Sequence, residues 1–371
     1  MLIHYKCPNC GSDMVFDSNT GKLKCNSCGR EDDIEGFSDE FITRTFSEED
    51  GKEYHCKNCG AVIITEAETT ATTCSFCGAA VVLGDRLSGT MAPSKVIPFK
   101  ISKKQAEEAF KSWCKNGLLT PKGFMTADRI KKITGMYVPF WLYDLNSRVE
   151  VNAVGTKIRE YTRGDYIYTE TRYYDVYRDI NLDYIKVPVD ASEKMNDELM
   201  DKLEPYNYAD LREFKTPYLA GYIAEKYNYD ESRMLPRAKD KIENYIQSYI
   251  NSTIVGYSSV RFTNKHIDTS KKNAYYTLLP VWMVYYDYED SEHVFAMNGQ
   301  TGKVVGKPPI SYKKVAAWFG GIAGFSFIIL KLISIAMGGD CGEKKESFFD
   351  CSFINCTFNS LYIKCFKGKW R

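Results

Sequence analysis

The sequence predicts a multidomain chain: two tandem four-cysteine zinc ribbons of small β structure, a duplicated α+β domain with antiparallel strands, and one C-terminal transmembrane helix. Three observations predict it. Eight of the 13 cysteines form four Cys-x-x-Cys pairs within the first 77 residues, a Pro-x-Trp motif occurs at both Pro139 and Pro280, and a 23-residue run near the C-terminus carries one charge. A length of 371 residues admits several domains, and 44% hydrophobic with 26% charged residues is a globular composition. The net charge of +1 gives no whole-chain signal for nucleic acid.

The ribbons come first. "YKCPNCGSDMVFDSNTGKLKCNSCG" from Tyr5 and "YHCKNCGAVIITEAETTATTCSFCG" from Tyr54 share the spacing Cys-x2-Cys-x14-Cys-x2-Cys. Each Cys-x-x-Cys-Gly turn points two thiolates inward, the glycine permits the tight backbone, and fourteen residues allow a short hairpin to return a second such turn. Cys7, Cys10, Cys25 and Cys28 are the predicted ligands of one zinc, and Cys56, Cys59, Cys74 and Cys77 those of another. Both ions are expected to be structural, because four cysteines leave no open position for a catalytic water. A module this small needs the metal to fold. Thioredoxin-like redox chemistry would instead place a single motif at the start of a helix. Zinc thiolates and the absence of a signal-peptide core at "MLIHYKCPNC" place this part in the cytosol.

Residues 1–94 carry eight Lys or Arg against fifteen Asp or Glu. Two four-thiolate zinc sites bring the total to about −11. Phosphate binding needs the opposite sign, so protein contacts are expected of the ribbons. The boundaries are ribbon 1 over 1–35, an acidic linker over 36–50 within the run from Glu31 to Asp50, and ribbon 2 over 51–94.

From Lys95 to Lys132 ten basic residues face three acidic ones. "SKKQAEEAFKSWCKNG" reads as a helix: Ser102 and Gln105 form a capping box, Ala106, Ala109, Phe110, Trp113 and Cys114 share a face, and Gly117 ends it. Two diverged α+β units are predicted, 95–185 and 186–312. "VIPFKISKKQAEEAF" is matched with "KVPVDASEKMNDELM", which pairs Pro98 with Pro188 and Ser102 with Ser192. "YVPFWLYDL" is matched with "LLPVWMVYYDY", and a helical insertion is expected from about Pro205 to Ile250. "YIYTETRYYDVYRDI" alternates as a half-buried antiparallel strand. Its arginines and tyrosines suggest a base-stacking platform, but Glu160, Asp165, Glu170, Asp175 and Asp179 outnumber Arg159, Arg163, Arg172 and Arg178.

"NGQTGKVVG", Asn298 to Gly306, looks like a phosphate loop and fails as one. The position five before Gly302 is Met297, the residue after Lys303 is Val304 rather than a hydroxyl, and the strand "VVGKPP" follows where a helix is required. A β-hairpin is predicted instead, with Asn298, Gly299 and Gly302 at positive φ. No motor motif is present elsewhere, and His4, His55, His266 and His293 are scattered, so no enzyme is expected.

Val315 to Met337, "VAAWFGGIAGFSFIILKLISIAM", is long enough to span a bilayer, with Lys331 reaching the far interface. The predicted transmembrane helix covers 313–338. Ala316, Gly320 and Gly324 form a small-xxx-small stripe through which helices of a homo-oligomer could pair. Lys303, Lys307, Lys313 and Lys314 precede the span against Lys344 and Lys345 after it, which orients the ribbons to the cytosol. The Cys-containing tail, 339–371, has a period of five through Phe348, Phe353, Phe358 and Ile363, too few repeats to bury a core.

The tandem "CPNCG" and "CSFCG" pairs, followed by "LLPVWMVYYDY", "NGQTGKVVG" and an apolar helix, resemble the bacterial TFIIB-type zinc ribbon-containing proteins over about residues 1–340. The resemblance implies this architecture and the eight cysteines as site residues. Members are sometimes labelled primosomal-helicase-like, which the missing motor motifs do not support. The function expected is that of a membrane-anchored, non-catalytic module that binds a protein partner or acts as a scaffold. The alternative is a replication- or transcription-related accessory factor binding nucleic acid weakly through Lys103, Lys104, Lys111, Lys115, Lys131 and Lys132.

Overall fold

Short strands at the N-terminus give way to three of 25 to 32 residues in the computed structural model, far beyond the usual strand of about 5–6. The structure describes residues 2–3, 5–36, 53–55, 62–64, 69–74, 79–83, 92–115, 119–121, 124, 132–288 and 291–336. The chain divides into two compact units, residues 1–309 and 310–371.

In the first unit, β1 (Leu2–Ile3) precedes the first cysteine set. That set folds around its own antiparallel sheet of β2 (Met14–Asp17), β3 (Lys22–Cys25) and β4 (Glu31–Asp32). Beyond it, among the described residues, β5 (Glu53–His55) pairs only with β6 (Val62–Ile64). The next two strands, β7 (Thr69–Thr73) and β8 (Ala80–Leu83), belong to the large sheet of the body. The described strands of the second cysteine segment are thus arranged differently from those of the first. The physical reason is apolarity: Val81, Val82 and Leu83 run consecutively and are all buried in the body, whereas β3 buries only alternate residues.

The body is mostly sheet, and four helices are described along the chain. After β9 (Lys95–Val96) comes α1 (Lys103–Lys115), then the long strands β10 (Lys132–Arg163) and β11 (Tyr166–Asp190). The short α2 (Asp197–Lys202), β12 (Arg212–Glu213) and β13 (Ile223–Glu225) lead to α3 (Glu231–Thr253) and the third long strand, β14 (Ser259–Tyr288). The hairpin β15 (Ser291–Asn298) and β16 (Val304–Gly306) closes the unit, and α4 (Tyr312–Ala336) lies in the second. The sheet order is β1-β8-β7-β13-β10-β14-β15-β16, with β11 on β10 and β9 on β14.

The capping box of α1 is present: Gln105 Oε1 accepts from Ser102 N at 2.8 Å, and Gln105 N donates to Ser102 Oγ at 3.4 Å. Ala106 and Phe110 are buried, with Ala109 and Trp113 packed beside them. On α3 a four-residue spacing buries Met234, Ala238, Ile242, Ile246 and Ile250. That stripe belongs to the same core as Val149, Val151, Ala153 and Val176, where α3 packs on β10 and β11.

The matched segments "VIPFKISKKQAEEAF" and "KVPVDASEKMNDELM" do not occupy like positions. Pro188 lies within β11 opposite Leu142, and α2 is capped by Asn196 rather than Ser192. The predicted insertion instead holds a strand and capped helix arranged like β9 and α1. β9 runs parallel to β14 at Leu278, and β13 runs parallel to β10 at Tyr137. Each leads into a capped helix, by Ser102 or Asp230, and each residue before the cap accepts a bond from a Pro-x-Trp indole. Trp282 Nε1 donates to Ile101 O at 3.0 Å, and Trp141 Nε1 donates to Tyr229 O at 2.9 Å.

The loop from Asn298 is a turn, as expected, with a different cause at each residue. Only Gly302 has positive φ, +76°. Gly299 is required because a Cβ there would lie 2.6 Å from the Phe99 ring and 2.8 Å from Pro280 Cβ. Asn298 is fully buried; its Oδ1 accepts from Gln300 N and Thr301 N, and its Nδ2 donates to Leu203 O at 3.0 Å.

Candidate metal centre

The two cysteine turns of the first set have the same backbone. Gly11 N donates to Cys7 O at 2.8 Å and Gly29 N donates to Cys25 O at 3.0 Å, with φ of +72° and +75° at the glycines. Cys7 N donates to Ser12 O and Cys25 N to Arg30 O, both at 2.8 Å, so each turn closes on the residue after its glycine. The β2–β3 hairpin, turned at Gly21 with φ +70°, brings the turns face to face.

The Sγ atoms of Cys7, Cys10, Cys25 and Cys28 all lie within 4.8 Å of one another, and the pairs Cys7–Cys28 and Cys10–Cys25 are 3.5 Å apart. A tetrahedral zinc with Zn–S of about 2.3 Å needs sulfurs about 3.8 Å apart. The cage fits zinc, and all four corners are sulfur. Backbone amides prepare the outer thiols: the N–H of Ser12 lowers Cys10 to about 6, and the N–H of Arg30 lowers Cys28. Burial pushes Cys7 up to about 11.

Of the second set, Cys74 is buried at the end of β7, and Cys56, Cys59 and Cys77 lie outside the described residues. The side chains of Cys114, Lys115, Lys131 and Lys132, most of the 36–50 linker and the 339–371 tail lie outside them too. Lys103 and Lys104 are exposed on α1. His266 is exposed on β14, and His293 packs against Phe124 and Phe295.

Sequence reasoning missed how the ribbon is seated. Phe16, on the buried face of the hairpin beside Leu23, packs 5.5 Å from the Tyr218 ring and 6.4 Å from Tyr222, and Phe16 N donates to Ala220 O at 2.9 Å. Tyr5 hydroxyl meets Thr216 Oγ1, Lys215 pairs with Glu35 at 2.8 Å, and β1 joins β8 at Leu83. The available signal was a buried-type phenylalanine in a hairpin too small to have its own core. Between ribbon and body runs a groove of about 600 Å³ lined by Asp17, Lys24, Lys103 and Trp282 among others.

In the second unit, Tyr312–Ile333 has a mean hydropathy of 1.8, and Phe319, Phe325, Leu330 and Leu332 are exposed along it. This is one helix long and apolar enough to cross a membrane.

Residues 5–46 match the zinc-ribbon family described as TFIIB zinc-binding. Among curated proteins, the chain is 68% identical to the "Uncharacterized protein YdjG" of Bacillus subtilis (strain 168) over 339 residues, which covers 91% of this chain and 99% of that protein. No solved structure matches the chain. A cage of four thiolates on a hairpin, the TFIIB-type match over it and near full-length identity to YdjG place the chain in the bacterial zinc-ribbon family to which YdjG belongs.

Proposed function

We propose that the chain is a non-catalytic, membrane-anchored module that holds a protein partner at the cytosolic face. One observation carries this reading: the metal centre is a closed four-sulfur cage on a ribbon fixed to a large sheet, which suits a rigid recognition element and leaves no position for a substrate. The ribbon's acidic balance, four Lys or Arg against six Asp or Glu over residues 1–36, opposes phosphate binding. The mixed-charge groove beside Asp17, Lys24 and Lys103 suits a peptide segment.

Two zinc ions per chain are proposed, the second held by Cys56, Cys59, Cys74 and Cys77. The exposed apolar α4 supports a span at 313–338, with the lysine bias placing residues 1–312 in the cytosol and the small-xxx-small stripe pairing helices of two copies. Internal duplication is supported by the matching pairs of parallel strand, capped helix and indole bond, with 95–141 equivalent to 223–282.

Crosslinking in intact membranes tests this. The full chain is expected to trap a defined protein that Cys10→Ser loses, and to show no DNA or RNA binding at physiological salt. Tight nucleic-acid binding at that salt, abolished by Lys103→Glu with Lys104→Glu, would establish the accessory-factor alternative.

A further inference from the structure

Beyond Thr156 the β10–β11 ladder leaves β14 behind and continues as a two-stranded hairpin of seven residue pairs, from Lys157↔Arg172 to Arg163↔Tyr166. Residues 157–169 are all exposed, although Tyr166 and Ile167 remain 72% and 75% accessible and Ile158 50%. A bare two-stranded hairpin is marginally stable in water, and its free edges add unpaired backbone groups. Large apolar side chains on both faces mark it as a surface that is covered in use.

The register sorts its charges. Residues directly opposite share a face, so Lys157, Arg159, Tyr161 and Arg163 lie with Arg172, Glu170, Tyr168 and Tyr166. That face is basic and aromatic: Tyr161 and Tyr168 stack with centroids 5.6 Å apart, and Lys157 sits 5.4 Å over the Tyr174 ring. The other face of the two-stranded part carries Ile158, Glu160 and Ile167 with Thr162, Thr169 and Thr171, and where β14 is paired the same face continues through Tyr173 and Asp175 to Glu150 and Asp179, which share Arg148 at 3.3 and 3.2 Å. Lys157, Arg159, Arg163 and Arg172 thus share one face, where Glu170 pairs with Arg172 at 2.7 Å, while Glu160, Asp175 and Asp179 lie on the other.

We propose that the occupant is a second copy of this chain, whose acidic face stacks on the basic, tyrosine-bearing face of the first. Both halves of the contact, complementary in charge and each studded with apolar side chains, are present in every molecule. Because the two faces differ, the contact is heterologous and propagates into open chains rather than closing as a dimer. Seven pairs at a rise of about 3.3 Å give a contact about 23 Å long and roughly 10 Å wide. That buries roughly 450–500 Å² in total, well under the roughly 1,200 Å² of a stable complex, so association is weak, concentration-dependent and salt-sensitive.

Sedimentation of the full chain in detergent tests this, with tryptophan fluorescence checking that each variant melts as the parent does. The parent is expected to grow in mean mass with concentration without a plateau, and high salt is expected to reverse the growth. Arg159→Glu with Arg163→Glu, and separately Glu160→Lys with Asp175→Lys, are each expected to stop at the smaller species that α4 pairing alone supports. Mixing the two variants is expected to restore growth, since one retains the acidic face and the other the basic face. A parent no larger than the variants, or a mixture that stays small, would overturn the proposal. So would loss of association through the basic face alone, which would assign that face to an acidic protein, or its binding to anionic vesicles or single-stranded nucleic acid with the acidic face irrelevant.

Discussion

Replacing Phe16 by alanine separates the fold of the ribbon from its seat on the body. Phe16 is 4% exposed, and its ring lies against Tyr218 and Tyr222 of the body rather than inside the cysteine cage. A buried phenylalanine ring removes roughly 150–200 Å² from water, worth about 4–5 kcal/mol at 25 cal/mol per Å². Part of that contact stays within the ribbon, so about 3 kcal/mol belongs to docking, in line with measured Phe→Ala costs. The ribbon itself is held by zinc, at about 10–16 kcal/mol apparent, and keeps its metal in the variant. Thermal unfolding of the full chain, followed by tryptophan emission with and without a zinc chelator, gives a coupling cycle. Phe16→Ala is expected to lower the melting temperature by roughly 5–8 °C. Chelation is expected to lower the parent by a similar amount and to lower the variant little further. Equal chelator shifts in parent and variant would refute the idea that zinc stabilises the body through the Phe16 contact.

Asn298→Ala is expected to cost about 2–4 kcal/mol in denaturant unfolding, because it strips two turn amides and the buried Leu203 carbonyl of partners. Lys303→Ala is expected to cost under about 1 kcal/mol and to alter no nucleotide turnover; a turnover lost with Lys303 would reinstate the phosphate loop. Burial raises the Asp190 carboxyl to about 6 even with Arg237 Nη1 at 2.8 Å. The folded state therefore holds this proton more tightly than the unfolded chain, and the group's contribution to stability is largest below about pH 4 and declines as pH rises to about 6. Urea midpoints across that window should lose this slope in Asp190→Asn, and an unchanged slope would assign it to another group.

The features legible in the sequence were those set by local spacing. Cys-x-x-Cys-Gly fixes a turn within five residues, Ser102 with Gln105 fixes a helix start within four, and the failed phosphate loop could be excluded from Met297 and Val304 alone. The length of β10, β11 and β14 was not legible, since each strand persists only through its neighbours' hydrogen bonds. The second cysteine segment looked like the first because the spacing is identical, yet Val81, Val82 and Leu83 follow the core available to them into the large sheet. Pro98 and Ser102 resemble Pro188 and Ser192 as letters, whereas the helix in the surroundings most like those of α1 is α3, capped by Asp230. Charge counting along "YIYTETRYYDVYRDI" mixed two faces, which only the register across Gly164 and Asp165 separates.

The claim on which the rest depends is that cysteine thiolates hold structural zinc in this chain. Native mass spectrometry of the full chain counts the ions directly, with Cys10→Ser and Cys74→Ser measured beside the parent. Two zinc ions in the parent and one in each variant are expected, with the Cys10→Ser chain also losing the stability assigned to the docked ribbon. A metal-free parent that unfolds at the same temperature with and without added zinc would contradict the claim.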